Sequence, residues 1–156
     1  MNSPACVDGG DVLYTGHEIF VGLSQRTNEE GVAVISNTFP DLPVHPVRVG
    51  DGTLHLKSLM SMAGPNTIVF GQSVNATRAK QLVTSKSRVQ YDVITVPDDY
   101  AANCLYINGV LVHRSPDEYP LSCHVFASLP VHKKIALNAS ELAKVDGALT
   151  CCSLLY

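Results

Sequence analysis

The sequence has little of what marks several large classes of protein. It contains no run of Lys and Arg residues, so it lacks the basic surface that nucleic-acid binding requires. No apolar run approaches the ~18 residues of a membrane-spanning helix. The N-terminus is neither basic nor apolar enough for a secretory signal. These absences predict a soluble, cytoplasmic protein without nucleic-acid or membrane partners.

The five cysteines exclude two further classes. Their odd number, together with the missing secretory signal, favours reduced thiols over a disulfide framework. No C-x-x-C pair occurs, which argues against a structural zinc site. Charged residues make up 16% and hydrophobic residues 46% of the chain, as is typical of globular proteins. We therefore expect one folded domain over residues 1–156.

A short apolar segment, a serine and a helix-like stretch follow one another three times. The apolar segments end at Ser24, Ser73 and Ser115, at an interval of ~45 residues. In the first repeat Thr27 and Glu30 have capping-box spacing, and in the second Ser73 can cap the helix. Such self-similarity predicts an α/β fold built of repeated strand–strand–helix modules, as in a propeller.

Three local signals concern the second half of the chain. Asn108-Gly109 separates two short apolar runs and predicts a type I′ hairpin. Pro120 would break the interior of the third helix. Residues 149–155 have the apolar pattern of a strand, on which two vicinal cysteines would point to opposite faces. Only one of these thiols could then enter a given site.

Polar residues recur at matching places in the repeats. Asp8, His55 and Asp98 each stand ~17 residues before the serine of their repeat. Equivalent positions gather around the axis of a pseudo-symmetric fold, so these three side chains could face one central site. A histidine can transfer protons near neutral pH, although a lone histidine between leucines is more often structural. The segment Asp8–Asp11 (DGGD) is equally consistent with a tight turn.

A cysteine nucleophile would complete such a site. A thiolate attacks carbon readily once a neighbouring imidazolium lowers the pKa of a thiol from its usual ~8.5. A Cys, a His and a carboxylate far apart in sequence are typical of thiol hydrolases, but a single cysteine is more often a buried structural thiol. Spacing leaves both interpretations open for Cys151 and Cys152, while Cys104 and Cys123 are expected to be structural.

Seven segments, in order along the chain, together match the pattern of one enzyme family. They are Asp8–Leu13 (DGGDVL), Gly22–Asn28 (GLSQRTN), Leu54–Ser58 (LHLKS), Ser61–Asn66 (SMAGPN), Val96–Asp99 (VPDD), Ala101–Cys104 (AANC) and Leu149–Ser153 (LTCCS). They closely resemble dimethylarginine dimethylaminohydrolase, of the superfamily that modifies guanidino groups. The resemblance implies a partial five-bladed α/β propeller (pentein), with about three of five modules present. The chain would then be the C-terminal portion of such an enzyme. The other half would supply an adjacent pair of acidic residues and a further arginine that bind the substrate, and a mobile lid.

The resemblance also implies catalytic roles. Cys151 is expected to be the nucleophile, His55 the general acid/base, and Asp8 the carboxylate that orients the histidine. The expected reaction is hydrolysis of asymmetric dimethylarginine or monomethylarginine to citrulline and a methylamine, through a covalent thiouronium intermediate. It requires no cofactor, although Cys151 and His55 could together capture an inhibitory zinc ion. Such an activity would support nitric oxide synthesis by removing inhibitors of nitric oxide synthase.

Substrate contacts and assembly follow from the same resemblance. Arg26 is expected to hold the α-carboxylate of the substrate, with Val145, through its backbone, and Asp146 in the substrate-binding turn. The family is monomeric, but an unclosed propeller would expose sheet edges and favour association. The alternative is a truncated, non-catalytic fragment that retains ligand, zinc or partner binding.

Overall fold

Three small sheets repeat one arrangement in the computed structural model, which describes residues 3–153. In each module an antiparallel strand pair is followed by a helix and by a third strand that runs parallel to the second. The first module contains β1 (Val12–Tyr14), β2 (Ile19–Leu23), α1 (Glu29–Thr38) and β3 (Val44–Arg48). The second contains β4 (Met60–Gly64), β5 (Thr67–Phe70), α2 (Val74–Lys86) and β6 (Asp92–Thr95). The third contains β7 (Leu105–Ile107), β8 (Val110–Arg114), α3 (Pro120–Ser128) and β9 (Lys133–Leu137).

The hairpin of the third module follows from its turn residues. Asn108 and Gly109 have φ values of 50° and 78°, in the left-handed region that a type I′ turn requires. Ile107 pairs with Val110 across the turn. The predicted hairpin is confirmed. Asn66, between β4 and β5, also has a positive φ of 55° and marks a hairpin that the sequence analysis did not predict.

The first residues of α1 and α3 show that two predictions were wrong. Asn28 caps α1 by accepting a hydrogen bond from the backbone at 2.9 Å, so the predicted capping box at Thr27 was wrong. Pro120 is the first residue of α3, where its missing N–H breaks no hydrogen bond and its fixed φ suits the helix. It therefore does not interrupt the helix interior. Ser73 caps α2 as predicted.

The hydrophobic core joins neighbouring modules. The larger cluster packs Phe20 of the first module against Leu56 and Phe70 of the second. Another cluster packs Val69 of the second module against Phe126 of the third. Because both clusters draw on two modules, burial of apolar surface holds the modules to one another. None of the described helices is long and apolar enough to cross a membrane, and all five cysteines are free thiols.

Short 3-10 helices carry the candidate residues. They are η1 (Gly9–Asp11), η2 (Leu56–Ser58), η3 (Asp99–Ala102) and η4 (Leu149–Cys152). The first three precede the first strand of each module, and their cap residues are Asp8, His55 and Asp98. The spacing predicted that Asp8, His55 and Asp98 occupy equivalent positions in their modules, and this is confirmed. The strand predicted over 149–155 is wrong in its described part, because Cys151 N donates to Ala148 O at 3.1 Å and closes a helical turn; residues 154 and 155 lie outside the described residues.

Candidate active site

His55 and Asp8 lie side by side where η1 meets η2. Nε2 of His55 is 3.2 Å from Oδ1 of Asp8. The two atoms are in close contact without forming an aligned hydrogen bond, since the buried Nε2 has no hydrogen-bond partner in the described part of the chain. The imidazole ring packs on Gly10, where a Cβ atom would come within 2.6 Å of the ring. The structure thus brings these two predicted residues together, while their roles stay predictions.

The Asp8 carboxylate is fixed by a backbone donor and flanked by two basic side chains. Gly10 N donates to Oδ1 at 2.9 Å. This hydrogen bond is the largest cause that lowers the pKa of Asp8; His55 and Arg26 lower it further, against the opposing effect of partial burial. Nη1 of Arg26 is 3.8 Å from Oδ2, and the Arg26 side chain is 59% exposed. Asp8 is therefore ionised beside His55, and Arg26 can reach outward to an anionic group.

A second carboxylate, that of Asp11, holds the backbone next to His55. It is fully buried. Its Oδ2 accepts hydrogen bonds from the hydroxyls of Ser24 and Thr27, both at 2.7 Å, and its Oδ1 accepts one from Leu56 N at 2.9 Å. Because Leu56 follows His55, Asp11 fixes the backbone that carries the imidazole. In the sequence it was only the second carboxylate of DGGD, with nothing local to distinguish it from Asp8.

Cys151 lies on η4 and is exposed, as is Cys152. A buried amide connects this helix to the histidine segment. The Asn103 side chain donates to Lys57 O and to Thr150 Oγ1, both at 2.8 Å, and accepts a hydrogen bond from Thr150 N at 3.0 Å. Since Thr150 precedes Cys151 and Lys57 belongs to η2, one side chain bridges the two turns. The face-to-face alternation expected for a strand does not apply to the vicinal thiols, because they lie on a helical turn.

Lys57 is a further charged residue that the sequence analysis missed. Burial lowers the pKa of Lys57, and attraction to the negative charges of Cys151, Asp11 and Asp8 acts in the opposite direction. Lys57 is therefore a partly buried cation whose charge is favoured by the candidate nucleophile and by both carboxylates. Its sequence signals were its place two residues after His55 and its place within the segment Leu54–Ser58.

The predicted substrate turn lies between α4 (Ser140–Ala143) and η4. The side chain of Val145 is 78% exposed. Asp146 has a φ of 57°, so the chain reverses there. Asp146 and Asn103 line a cleft of about 270 Å³ together with the segment Gly52–Leu54 that precedes His55. The turn and the histidine segment thus border the same cleft.

Two further predictions concern Asp98 and the binding of a metal ion. Asp98 was expected to face the same site as Asp8 and His55, but its carboxylate accepts a hydrogen bond from the Ser122 hydroxyl at 2.7 Å. This contact ties Asp98 to a helix of its own module, and its place at a shared site stays a prediction. As for metal binding, no group of three or more His, Cys, Asp or Glu side chains within residues 3–153 is arranged to hold an ion. A zinc ion held by Cys151 and His55 stays a prediction.

Comparison with known proteins identifies the family. The model of the family described as "N,N dimethylarginine dimethylhydrolase, eukaryotic" matches residues 3–146. The human protein DDAH2 is 38% identical over 153 residues, which are 94% of this chain and 53% of that protein. The N(G),N(G)-dimethylarginine dimethylaminohydrolase of Pseudomonas aeruginosa is 28% identical over 162 residues, with 100% of this chain and 58% of that protein covered.

A solved structure agrees with these matches. The dimethylarginine dimethylaminohydrolase of P. aeruginosa, as a Cys→Ser mutant complexed with citrulline, superposes with a TM-score of 0.82 at 27% identity and covers 100% of this chain and 58% of that one. The three modules therefore have the α/β fold of dimethylarginine dimethylaminohydrolases. The chain belongs to the eukaryotic N,N dimethylarginine dimethylhydrolase family, which confirms the resemblance. It spans about half the length of the curated relatives it matches.

Proposed function

We propose that this chain carries the Cys–His–Asp group of a hydrolase that converts Nω-methylated arginines to citrulline and methylamines. The observation that carries the proposal is the 3.2 Å contact of His55 with Asp8, on a segment that one amide links to the turn of Cys151. The name and the citrulline ligand of the P. aeruginosa relative support this substrate class.

In the first half of the reaction Cys151 is the nucleophile. Its thiolate attacks the electron-poor guanidinium carbon, and a new C–S bond forms a tetrahedral adduct. Protonated His55 gives its proton to dimethylamine as the C–N bond breaks. A thiouronium intermediate remains on Cys151. Asp8, whose pKa is lowered chiefly by the Gly10 N–H, stays anionic and stabilises the imidazolium.

In the second half water releases the product. His55, now neutral, removes a proton from a water molecule as its oxygen adds to the thiouronium carbon. The C–S bond then breaks and the thiolate is restored, while the remaining hydroxyl proton of the adduct passes to solvent, where the released dimethylamine takes it up, and citrulline leaves. The sequence of steps returns every group to its starting state, so the proposal includes no cofactor. Removal of methylarginines would relieve inhibition of nitric oxide synthase.

The substrate lies, in this proposal, between Arg26 and the turn of Val145 and Asp146. Arg26 is exposed and paired at 3.8 Å with Asp8, so its guanidinium can turn to the α-carboxylate of a methylarginine. The Val145 backbone carbonyl offers an acceptor for the α-amino group. Zinc captured by the Cys151 thiolate and His55 would inhibit the enzyme by blocking both groups.

We propose further that residues 1–156 form one domain that corresponds to three of the five modules of a propeller. A guanidinium group entering a pocket needs acidic partners, because an uncompensated buried charge is costly. A second candidate function is therefore a non-catalytic fragment that retains ligand, zinc or partner binding. Exposure of Ile135 and Leu137 on β9 favours it, because this strand at the sheet edge lies open to a further module or chain.

Turnover of the isolated chain separates these candidates. Residues 1–156 are purified by size-exclusion chromatography and assayed for citrulline formation from asymmetric dimethylarginine, beside the P. aeruginosa enzyme. We expect little or no turnover, because misplaced groups and missing charge partners can each lower the rate by ~10²-fold or more. Turnover by a monomer at the rate of the longer relative would instead show that these modules suffice.

Covalent labelling tests the nucleophile without turnover. A haloacetamidine should modify Cys151 rather than Cys152, as read by peptide mapping. Cys151→Ser should abolish this label, and the matched control Cys152→Ser should retain it. His55→Asn should slow labelling by about 10²-fold, because the imidazole no longer assists. A label found mainly on Cys152 would contradict the proposed mechanism.

A further inference from the structure

We infer that Asn103 is a positioning residue that sets the place of Cys151 relative to His55; the inference rests on the function proposed for that pair. Asn103 is 4% exposed. Its side chain makes three hydrogen bonds, all of 3.0 Å or less, to Lys57 O, Thr150 Oγ1 and Thr150 N. These bonds join η2, which begins directly after His55, to the residue before Cys151.

The chemistry of this position calls for an amide. The NH2 group supplies two donors, one for the Lys57 carbonyl and one for the Thr150 hydroxyl oxygen, and the carbonyl oxygen accepts the Thr150 N–H. A carboxylate would lack both donors, and an alkyl side chain would leave all three groups unpaired. Buried polar groups without partners are strongly disfavoured. The three bonds therefore specify asparagine by its pattern of donors and acceptors.

Asn103 is itself anchored on both sides. The Ser61 hydroxyl donates to Ala102 O at 2.5 Å and accepts a hydrogen bond from Cys104 N at 2.9 Å. Ser61 belongs to β4, so the backbone on either side of Asn103 is tied to the sheet of the second module. The amide consequently projects from a fixed point, and a fixed point is what positioning a nucleophile requires.

Within residues 3–153, the turn that Asn103 holds has few other contacts that fix its position. η4 has four residues, both of its thiols are exposed, and it follows the exposed turn at Val145. Leu149 is its buried side chain and resists removal from the core, but an apolar contact does not fix orientation as directional hydrogen bonds do. Without the amide, Leu149 stays buried but the orientation of η4 is no longer fixed. Displacement of a reacting group by ~1 Å can cost ~10²-fold in rate.

The test compares Asn103→Ala with Ser61→Ala. Both substitutions remove buried polar atoms from the segment around Asn103, but Ser61→Ala leaves the bonds to Thr150 and Lys57 in place. Three measurements are made: hydrogen exchange of the Thr150 amide, the rates at which a haloacetamidine labels Cys151 and Cys152, and unfolding in urea. Thr150→Val, which removes one of the three bonds and keeps the side-chain shape, serves as a milder variant if Asn103→Ala does not fold.

We expect Asn103→Ala to speed exchange of the Thr150 amide by at least about tenfold and to slow Cys151 labelling by about 10²-fold. Thr150→Val and Ser61→Ala should each change both readouts less than Asn103→Ala, because the first removes one of the three bonds and the second loosens the anchor of Asn103 but keeps all three. Where turnover is measurable, kcat should fall while KM changes little. Equal effects of Asn103→Ala and Ser61→Ala on labelling, or no effect of Asn103→Ala, would overturn the inference.

Failure of the proposed function looks different. If the wild-type chain shows no preference for Cys151 over Cys152, the Cys–His mechanism is contradicted. The exchange rate of the Thr150 amide then still decides whether Asn103 holds η4. An unchanged exchange rate in Asn103→Ala would overturn the positioning role whatever the outcome of labelling.

Discussion

The two sides of the candidate site are held in different ways. On the histidine side, η1 and η2 meet over the buried Asp11 carboxylate, which accepts three hydrogen bonds, and the His55 ring packs on Gly10. On the cysteine side, Cys151 lies on a short helix after an exposed turn, and its described polar anchor is the Asn103 amide.

This difference means that one set of contacts stabilises the domain and the other sets the position of Cys151. Contacts around Asp11 join two modules beside the main core cluster, so their loss should destabilise the whole domain. Contacts around η4 hold a short turn, so their loss should move the proposed nucleophile, Cys151, and leave most of the fold intact. The proposed proton-transfer pair thus lies beside the core on a segment that Asp11 fixes, whereas the turn of the proposed nucleophile is attached through directional bonds.

The largest effect is expected at Asp11. Asp11→Ala deprives Leu56 N and two buried hydroxyls of their acceptor, so the free energy of unfolding should fall by about 3 kcal/mol or more. Urea denaturation measures this loss. On the cysteine side, Val145→Ser changes an exposed side chain and should stay within about 0.5 kcal/mol of the wild type. Equal losses in the two variants would remove the contrast between the sides.

An intermediate effect is expected at Gly10. In Gly10→Ala the new methyl group would lie within 2.6 Å of the His55 ring, and relief of such a clash costs ~1–3 kcal/mol. Gly9→Ala is the matched control in the same 3-10 helix, because a Cβ there meets nothing within 4 Å. Thermal unfolding and haloacetamidine labelling should both change in Gly10→Ala alone. A Gly10→Ala protein that behaves like Gly9→Ala would show that the ring is not fixed by this contact.

The smallest effect is a pH dependence from Asp8. The Gly10 N–H is the main cause that lowers the pKa of Asp8 in the folded state, so the unfolded chain binds its proton more readily. The stabilisation is therefore fully present above the unfolded pKa of about 3.9 and is lost as pH falls through the lower folded value. The free energy of unfolding should decline less steeply in Asp8→Asn than in the wild type over this acidic range. Identical slopes would contradict the assignment, and the exposed Asp41 provides a control substitution, Asp41→Asn.

Repetition made much of the fold predictable. Apolar segments and their serines indicated three modules, and the positions of Asp8, His55 and Asp98 before the first strands followed from spacing. These features depend on neighbours in sequence or on a regular interval. The hydrogen bond of Asp98 could not be predicted in this way, because its partner Ser122 lies on a helix 24 residues further along the chain.

The cysteine side was harder to predict for the same reason. Residues 149–155 have a strand-like apolar pattern, but the N–H of Thr150 bonds to Asn103, 47 residues earlier. Local propensity contains no information on such a contact. Asn103 and Lys57 both stood within motifs that carried the family resemblance, yet only the folded structure shows that the Asn103 amide bonds to both the Lys57 carbonyl and the turn of Cys151.

The recurrence of a 3-10 helix ahead of each sheet has an evolutionary consequence. Its cap position is occupied by an acid, a base and an acid in turn. These caps sit outside the strand pairings, so mutation can replace one cap residue without changing the register of any sheet. A duplicated module of this kind can therefore diversify its chemistry one cap at a time, while selection on the strands preserves the common framework.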